Sequence, residues 1–149
     1  MLKTLTAAAA AALALTALPA AADDHMARAE RLVTVVTAEN PQTQLMSMVL
    51  TMQAVAKGTR VHMLLCGPAG DIALDDAPES ATAGQPPRDM SPQGLLTQIV
   101  AKGATVEVCA IYLPGKGLQP EALIDGVGVA QPPAMADALL ESGAAVWSF

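Results

Sequence analysis

The sequence predicts an α/β domain: three layers, α/β/α, around a mainly parallel sheet of about five strands. Three observations lead there. Residues 31–38, Arg-Leu-Val-Thr-Val-Val-Thr-Ala, form a continuous β-branched run, the pattern of a strand buried on both faces. Strand-like and helix-like stretches then alternate along the chain. Glycines close the helical stretches, at Gly58, Gly103 and Gly143.

Each element follows from its residues. Glu39-Asn40-Pro41 breaks the first strand. Residues 42–57 place Leu45, Met48, Val49, Met52, Val55 and Ala56 at helical spacing. Residues 60–66 read as the second strand, which Gly67-Pro68 ends. Residues 67–90 hold Pro68, Pro78, Pro86 and Pro87 together with acidic Asp75, Asp76 and Glu79. They read as a long loop, with a helical turn near Ile72, and loops of this length inside a domain serve as lids or binding loops. Ser91-Pro92 starts a helix, Ser as N-cap and Pro at the first position. That helix carries Leu95, Leu96, Ile99 and Val100.

Residues 104–118 are the stretch around which the rest is arranged. Thr105, Val106, Val108, Ile111 and Tyr112 are β-formers, and Pro114, Gly115 and Gly117 end the regular element. Cys109 therefore falls at the carboxyl end of a strand, where open α/β sheets place their ligands. After it, residues 119–124 read as a helical turn, 126–130 as a short extended piece, 132–141 as a last helix and 144–149 as a final strand.

The first 22 residues stand apart. Met1-Leu2-Lys3 is a positive start, residues 5–18 carry no charge, and Pro19 with Ala20-Ala21-Ala22 forms a small-residue cleavage pattern. This is a secretory signal of bacterial type, which points to the periplasm. The apolar run is Ala-rich and too short to span a bilayer, which takes ~20 residues. The organisation expected is a signal peptide, 1–22, and one domain, 23–149, with no membrane association after cleavage.

The whole chain carries a net charge of −6, and Lys3 leaves with the signal. An acidic chain without a basic stretch excludes nucleic acid as the expected partner. One Phe, one Trp and one Tyr leave no stacking platform for bases. Neither CxxC, HExxH nor a phosphate loop is present, so no resident cofactor is expected. With only His25 and His62 beyond the signal, no Ser/His/Asp set can be assembled.

At this point the order of motifs resembles the DsrE/DsrF-like family of small α/β sulfur-handling proteins. The likeness covers nearly the whole domain. It runs from a strand, a proline turn and an Ala-rich helix ending Lys57-Gly58, through a second strand and its loop. A helix ending Lys102-Gly103 then precedes a strand ending in Cys109, followed by the basic-Gly-aliphatic turn Lys116-Gly117-Leu118. The closing helix and a strand ending in Phe149 also match. The resemblance implies an oligomer in which Cys109 accepts sulfur as a persulfide, exchanging it with donor and acceptor proteins. Three features depart from it: export, the extra Cys66, and the Pro/Gly-rich 67–90 segment.

The candidate site residues are thus Cys109, as sulfur acceptor, Cys66, as resolving or disulfide partner, and Lys116, as a charge that stabilises a thiolate. The plainer reading of Cys109 is a buried apolar cysteine. Bridging Cys66 to Cys109 needs Cα atoms within about 7 Å. Neighbouring strands, ~4.8 Å apart, allow that; strands with one between them, ~10 Å apart, do not. His62 alternates with Leu64 and Cys66, which suits a structural histidine. Met46, Met48, Met52 and Met63 could be soft Cu(I) ligands, but helical spacing without paired histidines favours core packing. A chain starting at Asp23 would present an amine, two backbone amides and the His25 imidazole, a square-planar set for Cu(II) or Ni(II). A polar tail is the simpler account. The rival to sulfur chemistry is a non-catalytic homo-oligomeric binding or assembly module, with Met46 and Leu50 widening the first helix's apolar stripe into a contact face. The export reading has a direct check: the intact mass of protein from native cells should begin at Asp23, and a mass that retains Met1 to Ala22 would sink it.

Overall fold

The computed structural model describes residues 29–149; the expected signal segment, 1–22, and His25 lie outside them. Five strands form one sheet: β1 (Arg31–Val36), β2 (Arg60–Leu65), β3 (Thr105–Val108), β4 (Val127–Val129) and β5 (Ala144–Ser148). Their order is β4-β3-β2-β1-β5, and all four pairings are parallel. The α/β class, the strand number and the parallel sense agree with the sequence reading.

The crossovers explain the layers. From β1 to β4 each new strand is added on the same side of the last. Right-handed crossovers in one direction put their connections on one face. That face carries α1 (Pro41–Ala56) and α3 (Pro92–Ala101), which pack on each other. Between them lie a 3-10 segment (Gly67–Ala73) and the one-turn α2 (Glu79–Thr82). Chain direction then reverses, and α5 (Pro132–Leu140) crosses the opposite face to reach β5.

Pleat alternation divides the core accordingly. Val36, Met48, Met63, Leu65, Leu96, Ile99, Val106 and Val108 fill the first face and are fully or almost fully buried. Val33, Leu64, Ala130, Met135 and Ala138 fill the second, under α5. One polar pair enters the first core: the Thr34 and Thr51 hydroxyls, 3.2 Å apart, satisfy each other between β1 and α1. Met48 and Met63 are core residues, whereas Met46 is 52% exposed.

The helix starts follow from capping. The Asn40 side chain accepts from the amides of Gln42 and Thr43, with Pro41 behind it. Ser91 accepts from Gly94 N–H at 3.1 Å, with Pro92 at the first position.

Two expectations are corrected. Ile111 and Tyr112 are not strand residues: β3 stops at Val108, and Tyr112–Lys116 is a short helix, α4. Pro114 falls in its first turn, where a missing N–H costs nothing. Gly117 closes it at φ 68°, a conformation that favours glycine. Residues 67–90 carry the turn expected near Ile72, as the 3-10 segment, but the rest is not a plain loop. Besides the 3-10 segment and α2, Gln85 bridges Met90, and Leu74 bridges Leu123. Gln93 Nε2 donates to the carbonyls of Ile72 and Leu74, which fixes the segment to α3.

Burial sets an expected contrast in stability. Ile99→Ala, at a wholly buried site, should cost about 2–5 kcal/mol in urea unfolding. Ile111→Ala, at a site 81% exposed, should stay within about 0.5 kcal/mol. Equal losses would contradict the placement of Ile111 outside the sheet.

Candidate functional site

The two cysteines come together at the carboxyl edge of the sheet. Leu65 of β2 and Val108 of β3 are register partners, so the next residue on each strand is a cysteine facing a cysteine. The ladder continues through them: Cys66 N–H donates to Val36 O and Cys109 N–H to Leu65 O, both at 2.9 Å. Their Cα atoms are 5.1 Å apart, and the sulfurs form a disulfide. Of the two strand arrangements left open by the sequence, this is the one that permits a bridge. Both cysteines are half-buried and pack against the second-face core.

An open pocket of about 550 Å³ lies over the disulfide. Its floor is Cys66 and Cys109, and its walls come from Glu39 beyond β1, from Gly67, Pro68 and Asp71 of the 3-10 segment, and from Ile111, Tyr112 and Lys116 at α4. Three chain segments that leave the carboxyl edge therefore converge there, as α/β sheets tend to arrange.

One wall is an ordered polar cluster. Tyr112 donates its hydroxyl hydrogen to Asp71 Oδ1 at 2.5 Å. Lys116 Nζ donates to the same oxygen and lies 5.5 Å from the centroid of the Tyr112 ring. Gly70 makes the close approach: a Cβ there would overlap the ring. Burial foremost, then the Asp71 hydrogen bond and the Asp71 charge, push the Tyr112 phenol well above its ordinary range. Lys116 lines the same pocket as Cys109, with its amine engaged by Asp71.

The sequence pointed to Cys66, Cys109 and Lys116; it did not point to Asp71, Tyr112 or Glu39. The available signal was Cys109-x-x-Tyr112, a spacing of one helical turn. Assigning Tyr112 to a strand concealed it. His62 stands four residues before Cys66 on the same sheet face and is paired with Glu107, Nε2 to Oε2 at 2.7 Å. Among the described residues no cluster of His, Cys, Asp or Glu is arranged to hold a metal ion, and no helix is long and apolar enough to cross a membrane.

Fold and site together define a small parallel α/β protein with a cysteine pair at the carboxyl edge of its sheet. No protein-family model matches the chain, and no curated protein matches its sequence. Solved structures match its fold. The ychN protein of E. coli superposes with a TM-score of 0.63 at 18% identity, covering 80% of this chain and 97% of its own. MTH1491 of Methanobacterium thermoautotrophicum, a protein of unknown function, gives 0.56 at 17%, covering 80% and 98%. BT1422 of Bacteroides thetaiotaomicron, also of unknown function, gives 0.58 at 14%, covering 83% and 98%. At these identities the likeness is one of fold.

The chain has a single tyrosine, so its phenolate absorbance reports Tyr112 alone. Ionisation should begin well above pH 10, the ordinary tyrosine value, and Asp71→Asn should bring it earlier. The raised value favours the neutral phenol in the folded state. Its contribution to stability is therefore complete below pH ~10 and is lost as pH climbs above that. Ordinary titration near pH 10 in the folded protein would contradict the buried, Asp71-bound hydroxyl.

Proposed function

We propose that this protein is an exported, DsrE-like thiol carrier of sulfane sulfur, with Cys109 as acceptor and Cys66 as resolving thiol. The observation that carries the reading is the cysteine pair itself, bridged between neighbouring strand ends and opening onto a pocket. The fold shared with ychN and the motif order of the DsrE/DsrF-like resemblance support it. The periplasmic address rests on the signal sequence.

The cycle balances as follows. A dithiol reductant first converts the Cys66–Cys109 disulfide to two thiols and is itself oxidised. The Cys109 thiolate then attacks the outer sulfur of a donor persulfide, R–S–SH. A new S–S bond forms at Cys109, the donor's S–S bond breaks, and R–S⁻ leaves. The Cys109 persulfide has two exits. An acceptor thiolate takes the outer sulfur and returns Cys109 as thiolate. Alternatively, Cys66 attacks the Cys109 sulfur, restores the disulfide and releases HS⁻. The second exit needs no movement of strands, since the two cysteines already stand at bonding distance. Lys116 lines the same pocket, and release of its amine from Asp71 would free a cation to stabilise the thiolate.

Sulfur loading tests the proposal. Reduced wild type, Cys109→Ser and Cys66→Ser are treated with a low-molecular-weight persulfide and mapped by peptide mass. The expected result is a mass gain of one sulfur on the Cys109 peptide. It should be absent from Cys109→Ser and longer-lived in Cys66→Ser, where the internal exit is closed. If reduced wild type takes up no sulfur and Cys109 resists alkylation until the chain unfolds, the thiol is structural. The non-catalytic binding module then becomes the better reading; Met46 at 52% and Leu50 at 39% exposure on α1 would form its contact face.

A further inference from the structure

A second cavity lies at the other end of the sheet, where β1, β2 and β3 begin. It measures about 440 Å³, within the range of small-molecule sites, ~300–1,000 Å³. Its lining has a charge opposite to that of the protein. The chain carries a net −6, with eight lysines and arginines in all. Three of these, Arg31, Arg60 and Lys102, line this one cavity, together with His62, Thr59 and Thr105. Among the described residues no carboxylate side chain lines it.

Strand register creates the charge. Arg31 and Arg60 are register partners at the starts of β1 and β2, so their side chains leave the same face of neighbouring strands. Like charges in that position repel. Glu141 answers one of them by pairing with Arg31. The nearby His62 shares a hydrogen bond with Glu107. Among the described residues Arg60 and Lys102 have no acidic partner. Lys102 follows α3, where a cation complements the helix dipole, and that alone accounts for its position. Arg60 opens a strand and has no such helix. Its charge, set beside Arg31, is left without a partner at the mouth of a polar cavity.

We propose that this cavity binds a tetrahedral oxyanion of the sulfate or phosphate class. The planar guanidinium of Arg60 matches two of its oxygens at once. Lys102 supplies a second charge, and the Thr59 and Thr105 hydroxyls supply neutral donors. A bound anion also screens the Arg31–Arg60 repulsion, so binding stabilises the sheet where its first two strands start. The site is independent of the sulfur chemistry at the carboxyl edge.

The test uses the whole ¹⁵N-labelled protein, titrated separately with sodium sulfate and sodium phosphate at ionic strength held constant with sodium chloride. The proposal expects saturable amide shifts at Gly58, Thr59, Gly103 and Thr105. Arg60→Ala should weaken affinity about tenfold or more, and Lys102→Ala less. Both side chains are exposed, so both variants should keep the wild-type spectrum elsewhere. Saturation by one anion alone supports the site and identifies which oxyanion it takes. Linear shifts that sodium chloride reproduces, or saturable shifts that neither variant weakens, overturn it.

Discussion

The pairing of β2 with β3 is the constraint on which the candidate site depends. Parallel strands in direct contact bring Leu65 level with Val108, and the residues that follow inherit that alignment. Cys66 and Cys109 are 43 residues apart in the chain, yet their Cα atoms stand 5.1 Å from each other. Ordinary sheet spacing supplies nearly all of that proximity. Sliding β3 by one residue would turn Cys109 to the α1/α3 face and Val108 to the α5 face. The buried Val106 and Val108 resist such a slip, because both would leave the larger core. Hydrophobic register thus fixes a chemical geometry.

The same directionality places the walls. Every connection that leaves the carboxyl edge of β1, β2 and β3 begins beside the cysteines. The 3-10 segment brings Asp71, and α4 brings Tyr112 and Lys116. The close approach at Gly70 seats the Tyr112 ring, and the hydroxyl then reaches Asp71. A half-buried carboxylate accepts from both a phenol and an ammonium, so the wall is well satisfied without help from the sulfurs. At the amino edge charge is distributed differently. Glu141, just after α5, pairs with Arg31, Glu107 of β3 hydrogen-bonds His62, and Arg60 is left over. The two edges of one sheet therefore offer two environments, a disulfide beside an ordered polar wall and a cationic cavity.

Much of the architecture was legible in the residues. A continuous β-branched run marked β1, because a strand buried on both faces tolerates little polar alternation, and Gly67-Pro68 marked the end of β2. Ser91-Pro92 marked a helix start, because capping is a local event between residues three apart, whereas Asn40-Pro41 read only as a strand break and the structure adds the Asn40 cap. Where local cues pointed one way and the chain went another, tertiary packing decided. Ile111 and Tyr112 have strand propensity, but β3 ends at Val108 and the Tyr112 amide bonds back to Cys109 O, opening a helical turn. Residues 67–90 look like loop because of their prolines and glycines. Anchors from Gln93 and Leu123 give them structure that no short window could show.

By itself, then, the sequence determined the class of the fold, the number of strands, the Ser91 cap that starts α3, and the placing of two cysteines at strand ends. All of these depend on residues near one another in the chain. Only the tertiary structure decided that β2 and β3 are neighbours, and so that the cysteines bridge. It also decided that Asp71 meets Tyr112 and Lys116, and that Arg31 stands level with Arg60. Strand order is the reason. It is set by how each crossover folds back onto the sheet to bury its helix, a choice made by the whole core and written in no single segment.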